Sequence, residues 1–340
     1  SLNKAGDGMT VLREVVGAYQ GQPVHAFTLK SGDMTDRVLE FGATLQSLQL
    51  SVGGRIRELV LGFRQFADYP AKSPYFGSTI GRYANRIAHG RFMLDGNLFE
   101  LSRNQAGRHT LHGGADNFAF RLWHGEILRD VIGVRLMIRS PDGDQGFPGN
   151  LEAAVVYALA EKQLRIEMEA VTDAPTPVSL AHHSYWNLDG GGTIDAHTLQ
   201  LEADFYLPVD DETLPTGEIR SVRATPFDFR APRPLNAFGE PRIDHCFAVR
   251  GRGFRRVAEL VSADRRVMMQ LFSDQPGVQL YTGFKLDVLA ADGTRFAPRS
   301  GLCLETQHFP DAPNMAHFPD PFLRPGMAYR HVMEHRFTIA

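Results

Sequence analysis

The stretch Phe92-Met93-Leu94-Asp95-Gly96-Asn97-Leu98-Phe99-Glu100-Leu101 sets the architecture. Phe92 and Leu94 before the Asp-Gly pair, and Phe99 and Leu101 after it, give each arm one apolar face at a period of two. Asp-Gly tolerates the positive φ of a tight turn whose twist matches its flanking strands, so the segment predicts a β-hairpin. The same alternation recurs at Leu48 to Val52, Val134 to Ile138, Leu164 to Met168, Thr198 to Leu201 and Arg336 to Ile339. Turn signals separate these runs, at Val52-Gly53-Gly54, Pro141-Asp142-Gly143-Asp144 and Ala291-Asp292-Gly293-Thr294. Helical patterns are scarce: Val11 to Tyr19 begins one that Gly17 and Gly21 interrupt, and Phe63 to Tyr69 predicts a short helix that Pro70 ends. A chain of 340 residues would suggest two domains at ~150 residues each, but large β-sandwiches escape that division. The expectation is an all-β fold, one large antiparallel β-sandwich domain over residues 1–340 with few short helices.

Charge narrows the partners. Lys plus Arg is 36 against 39 Asp plus Glu, a net −3, and the one basic cluster, Arg252 to Arg256, is broken by Gly253 and Phe254. Proteins that bind by neutralising phosphates carry a basic surplus, so no nucleic-acid partner is expected. No apolar run approaches the ~18 residues of a membrane helix, so no membrane partner is expected either. Two cysteines, Cys246 and Cys303, are too few for a disulfide framework and read as buried thiols. Ser1 to Thr10 has no apolar leader, which makes the cytoplasm the expected compartment; Met9 is a possible native start, and export stays open if a leader was removed.

The familiar cofactor and nucleophile motifs are absent: no phosphate loop, no H-E-x-x-H, no C-x-x-C and no G-x-S-x-G elbow. What remains is histidines and carboxylates among glycines and aromatics. His112, in Leu111-His112-Gly113-Gly114, reads either as a turn histidine or as a group held where backbone approaches a ligand closely. His182 and His183 point to opposite faces if their segment is a strand, so only one can serve a given cleft. Alternation through Gly301-Leu302-Cys303-Leu304-Glu305 puts Cys303, Glu305 and Gln307 on the face opposite Leu302 and Leu304. A carboxylate there is either a salt-bridged strand residue or a partly desolvated general base. Asn85, Arg86, Asp244 and Gln279 are polar candidates for a polyol, and spacing alone does not join them.

Taken in order, these segments resemble the aldose 1-epimerases, or galactose mutarotases. The resemblance runs through Gly81 to Gly90, Leu111 to Gly114, Ser140 to Gly149 (SPDGDQGFPG), His183 to Leu188 and Leu207 to Glu218 (LPVDDETLPTGE). It continues at Phe227 to Arg230, Asp244-His245, Gln275 to Gly283 (QPGVQLYTG), Gly301 to Asn314 (GLCLETQHFPDAPN) and Leu323 to Gly326. It implies a β-sandwich of the galactose mutarotase type, with a free monosaccharide such as glucose or galactose bound in a cleft on one sheet. It also implies Glu305 as catalytic base, His183 as catalytic acid, His112 as the second active-site histidine, and Arg86, Asp244 and Gln279 as sugar binders with Asn85 as companion. No metal and no organic cofactor are implied. The sequence departs from the common family pattern at His182, Trp186 and Phe284-Lys285, which leaves the acid and base untouched and bears on the shape of the sugar pocket.

These residue types suit anomer exchange, which removes the proton of the C1 hydroxyl while protonating the ring oxygen. Histidine, with an ordinary pKa near 6.5, can both give and take a proton at neutral pH, and a nearby Glu305 is expected to help keep His183 charged. Two alternatives share the fold: a sugar-binding protein without catalysis, and an epimerase of phosphorylated hexoses. The second calls for a basic cluster beside the site, where the sequence offers Arg86 alone, so free sugars are favoured.

Overall fold

The computed structural model describes residues 3–4 and 9–340; the leader-free reading of Ser1 to Thr10 falls largely outside them. Among the described residues, the largest sheet has nine strands, with Ile132–Ser140, Leu151–Ala160, Gln163–Thr172, Tyr329–Ile339 and Val267–Ser273 at its centre, every neighbour antiparallel. Its apolar face packs against two six-stranded sheets. One is an N-terminal meander that includes Gln22–Ser31, Met34–Leu39 and Thr44–Val52. The other includes Leu302–Gln307, Gly277–Tyr281 and Asp244–Ala248. A single buried cluster joins all three, with Leu136, Ile166 and Met269 from the large sheet, Leu29 and Leu48 from the meander, and Leu280, Leu302 and Leu304 from the third sheet. That layering is a β-sandwich, the arrangement in which period-two strands hide one face and solvate the other.

The alternating runs all lie in strands, and Asp95-Gly96 closes the hairpin of Arg91–Leu94 with Asn97–Glu100. Two expectations need correcting. Val11 to Tyr19 is no helix but part of the strand Met9–Tyr19, whose register shifts between Val15 and Gly17. The ring of Phe66 lies against Gly17, where an added Cβ would stand 2.7 Å from it. The short helix is Asp68–Lys72 rather than Phe63 to Tyr69, and it contains Pro70 instead of ending there. Proline is tolerated in a first turn, where its missing N–H has no intrahelical partner anyway.

Among the described residues, no helix is long and apolar enough to cross a membrane. The loop SPDGDQGFPG is held by Arg82, which is 2% exposed. Its guanidinium donates to Ser140 Oγ (2.8 Å) and to the carbonyls of Ser140, Pro141, Pro148 and Gly149 at 2.8 to 3.0 Å.

Candidate active site

The third sheet builds the floor. Its ladder pairs Glu305 with Gln279 and Gln279 with Cys246, and in the next row Cys303 with Tyr281 and Tyr281 with Asp244. Leu302 and Leu304 turn into the core, so Cys303, Glu305 and Gln307 occupy the opposite face, as the alternation requires. A polar chain fixes this floor. Gln307 Nε2 donates to Gln279 Oε1 (3.4 Å), and Gln279 Nε2 donates to Asp244 Oδ1 (2.8 Å).

The histidines come from elsewhere. The short strand Ala181–His183 pairs with Ser78–Ile80, and its two histidines do point apart. His182 turns inward to Ser184 Oγ (2.6 Å) and the ring of Tyr157, whereas His183 turns to Glu305, with Nε2 3.4 Å from Oε1. Nδ1 of His183 meets Cys303 Sγ at 3.5 Å. His112 stands edge-on to His183, ring centres 5.3 Å apart, and Tyr75 touches both, stacked on His183 and edge-on to His112.

His112 is locked against Asn85. The backbone N–H of His112 donates to the Asn85 carbonyl (2.9 Å), and the backbone N–H of Asn85 donates to His112 Nδ1 (3.0 Å). Both residues hold positive φ, at 53° and 68°. Because Nδ1 accepts, the neutral ring carries its proton on Nε2 and offers a donor to the cleft. Asn85 Oδ1 accepts the backbone N–H of Arg86 (2.9 Å), so this carboxamide oxygen shapes the loop. Arg86 Nε donates to Gln105 Oε1 at 2.7 Å. Burial lowers the pKa of Arg86, and the nearby carboxylates of Asp244, Glu305 and Asp210 oppose that.

His112, His183 and Glu305 offer ligand atoms within 4.8 Å of one another, the grouping a divalent metal would need. The tautomer of His112 does not suit one. A metal on Nε2 would require the proton on Nδ1, facing the Asn85 N–H that already points there. The set fits proton transfer better.

Burial governs the charges. Glu305 and His183 are 3% and 4% exposed, and Glu305 Oε1 has no hydrogen-bond partner among the described residues. Desolvation, with Asp244 adding to it and Arg86 opposing it, pushes the Glu305 carboxyl well above the usual carboxylate range. Desolvation pushes His183 down to about 4, and His112 is lowered by burial and by the charges of His183 and Arg86. The expectation that Glu305 keeps His183 charged is therefore corrected for the sugar-free site. Both groups favour their neutral forms, and the pair holds one proton, the same count as a carboxylate beside an imidazolium.

Sequence reasoning missed Tyr75, Gln105 and the contact of Cys303 with His183. Tyr75 sits at φ 69° between Pro74 and Gly77, a turn whose aromatic has no periodic signature. Gln105 and Cys303 matter through partners 19 and 120 residues away, which no local pattern encodes.

The face of the third sheet thus carries a buried carboxylate against two histidines, with an arginine, an aspartate and a glutamine nearby, a set able to give and take a proton. Residues 25–336 match the family model for aldose 1-epimerase. The galactose mutarotase of Bos taurus is 40% identical over 93% of this chain and 95% of its own, and the aldose 1-epimerase of Escherichia coli K12 is 37% identical over 94% and 97%. The GalM/aldose epimerase homologue of C. elegans superposes with a TM-score of 0.86 at 32% identity, covering 91% of this chain and 97% of its own. The chain belongs to the aldose 1-epimerase family. It is an isomerase that interconverts the α and β anomers of aldoses.

Proposed function

We propose that the chain opens and recloses a free hexose, galactose or glucose, with Glu305 as base and His183 as acid. The observation that carries this assignment is the 3.4 Å separation of His183 Nε2 and Glu305 Oε1 in a site nearly closed to water. On sugar binding, the one proton of the pair sits on His183. The Glu305 carboxylate takes the proton of the C1 hydroxyl, and the electrons of that O–H bond form the C1 carbonyl. The electron pair of the C1–O5 bond moves to O5, which takes the proton of His183. Rotation about C1–C2 presents the other carbonyl face, and the same steps in reverse deliver the other anomer with both groups restored.

Each positioned group contributes about 10²–10⁴-fold, enough for a reaction that proceeds unaided in water. His112 Nε2–H donates to a sugar oxygen and Arg86 stabilises the Glu305 carboxylate, while Asp244 and Gln279 hold hydroxyls further along the floor. Asn85 acts through its backbone, by setting the His112 tautomer. The cycle balances without a metal or organic cofactor. The galactose mutarotases of Bos taurus and Homo sapiens, 40% and 39% identical, support galactose as a substrate.

We further infer one folding domain over 1–340, supported by the core shared among three sheets. The buried free thiols of Cys246 and Cys303 support a reducing compartment, the cytoplasm.

Polarimetry of freshly dissolved α-D-galactose and α-D-glucose tests the reading. Acceleration on either sugar at micromolar protein is the expected result. Relaxation at the buffer rate on both would overturn it.

A further inference from the structure

Resting on the sugar orientation just proposed, we propose that the rim of the cleft beyond Asp244 is a subsite for an anionic group carried at the end of the aldose remote from C1. The reacting carbon lies between Glu305 and His183. Asp244 lies two strands across from Cys303, above which His183 sits, so the floor from acid to Asp244 spans roughly 10 Å at a strand spacing of about 4.8 Å. A pyranose fills most of that span, and a substituent on its far carbon projects past Asp244.

The rim at that point is basic and aromatic. Ile243, just before the strand Asp244–Ala248, turns into the core, and Arg242 next to it is exposed. The Arg242 guanidinium lies 5.9 Å from the ring centre of Phe284, and Lys285 Nζ lies 5.6 Å from that centre. Phe284 stands edge-on to Tyr281 at 5.6 Å, and the Tyr281 hydroxyl accepts the Lys285 backbone N–H (3.3 Å), which ties this corner to the floor. The corner's backbone is glycine: a Cβ on Gly283, at φ 65°, would stand 2.2 Å from the Gly301 carbonyl oxygen.

The cations are also uncommitted. Some exposed arginines are paired, as in Arg220 with Glu218, Arg295 with Asp287 and Arg324 with Asp95, and others such as Arg129 and Arg252 stand in solvent without a carboxylate. Among the described residues, neither Arg242 nor Lys285 has a carboxylate within 4.0 Å. Asp244 is near enough to oppose an anion, but its Oδ1 already accepts from Gln279. Two free cations flanking one ring offer a planar donor fork and a point charge, the combination that suits a carboxylate or a phosphate monoester. Uronic acids and sugar phosphates present that shared chemistry.

The test compares D-galactose, D-galacturonate and D-galactose 6-phosphate by NMR exchange between anomers, with the native chain and with Arg242→Gln, Lys285→Gln and the double variant. Both side chains are exposed and make no ion pair, so the variants keep the fold. The expected result is turnover of at least one anionic sugar, with kcat/KM falling about tenfold or more in the double variant through KM. The neutral sugar is unaffected, and the difference shrinks at about 0.3 M salt. Loss confined to galacturonate identifies a carboxylate subsite, and loss confined to the 6-phosphate a phosphate subsite. Anionic sugars that are not turned over, that ignore the variants, or that lose no more than galactose would overturn the subsite while leaving the epimerase. Failure on all three sugars would overturn the epimerase reading and the subsite with it.

Discussion

His183 Nε2 faces Glu305 Oε1 across 3.4 Å, with both side chains buried and the Glu305 oxygen left without a hydrogen-bond partner among the described residues. Two ionisable groups so placed titrate as a pair. Burial raises the carboxyl and lowers the imidazole to about 4, so the order of titration is inverted: the second proton enters on His183 in acid, and the single proton leaves Glu305 only well above the range of an ordinary glutamate.

The pH–rate profile of anomer exchange follows from this. Acid adds a second proton to the pair and removes the base; alkali strips the single proton and removes the acid. The expected kcat/KM profile is a broad plateau, with its acidic limb near pH 4 and its alkaline limb well above the range of an ordinary glutamate. An acidic limb near 6.5, the value of a solvated histidine, would show that burial does not set the charge of His183.

Cys303 gives a handle on that acidic limb. Its Sγ meets His183 Nδ1 at 3.5 Å, and burial holds the thiol neutral. A serine hydroxyl accepts more strongly from an imidazolium N–H than sulfur does, so Cys303→Ser stabilises charged His183 and raises its pKa. The acidic limb should move up by about half a unit or more, with the alkaline limb in place. An unmoved profile would leave Cys303 as packing alone.

Much of this was legible in the chain. The Asp95-Gly96 hairpin, the outward face of Cys303, Glu305 and Gln307, and the divergence of His182 from His183 follow from period-two arithmetic, because each is decided within a few residues. The strand Met9–Tyr19 was not legible, because its irregular pattern reflects a register shift and a phenylalanine ring laid on Gly17. The helix was misplaced because Pro70 reads as a stop whether it follows a helix or opens its first turn. Gathering the site required residues such as Arg86 and Asp244, 158 positions apart in sequence and on different sheets, to come close enough to feel each other's charge, and no local pattern specifies that.

Arg82 carries a structural load. Its buried guanidinium satisfies four carbonyls and a hydroxyl of the loop from Ser140 to Gly149. Arg82→Leu strands those acceptors, and a loss of stability on the order of 3 kcal/mol is expected in denaturant titration. A change under about 0.5 kcal/mol would mean that the loop is held by other contacts.

Asp36 works in the opposite sense. It sits at 0% exposure in the strand Met34–Leu39, and neither carboxyl oxygen finds a hydrogen-bond partner among the described residues. Desolvation, and then the charge of Glu58, push its pKa well up in the folded state. A raised folded pKa favours the protonated form, so the contribution to stability is full below the unfolded pKa of about 3.9 and is lost as pH rises through the folded value. Asp36→Asn should therefore stabilise the protein near pH 7.5 by roughly 1–3 kcal/mol, with the gain vanishing near pH 3.5. A gain independent of pH would trace the effect to packing instead of charge.

The most direct measurement of the central claim compares native protein with Glu305→Gln, following α-D-galactose by polarimetry and sugar binding by calorimetry. Glutamine keeps the shape and removes the base. The expected result is a fall in turnover of about 10²-fold or more, with binding held within a few-fold. A variant that still exchanges anomers at near the native rate would contradict the assignment of Glu305 as the base.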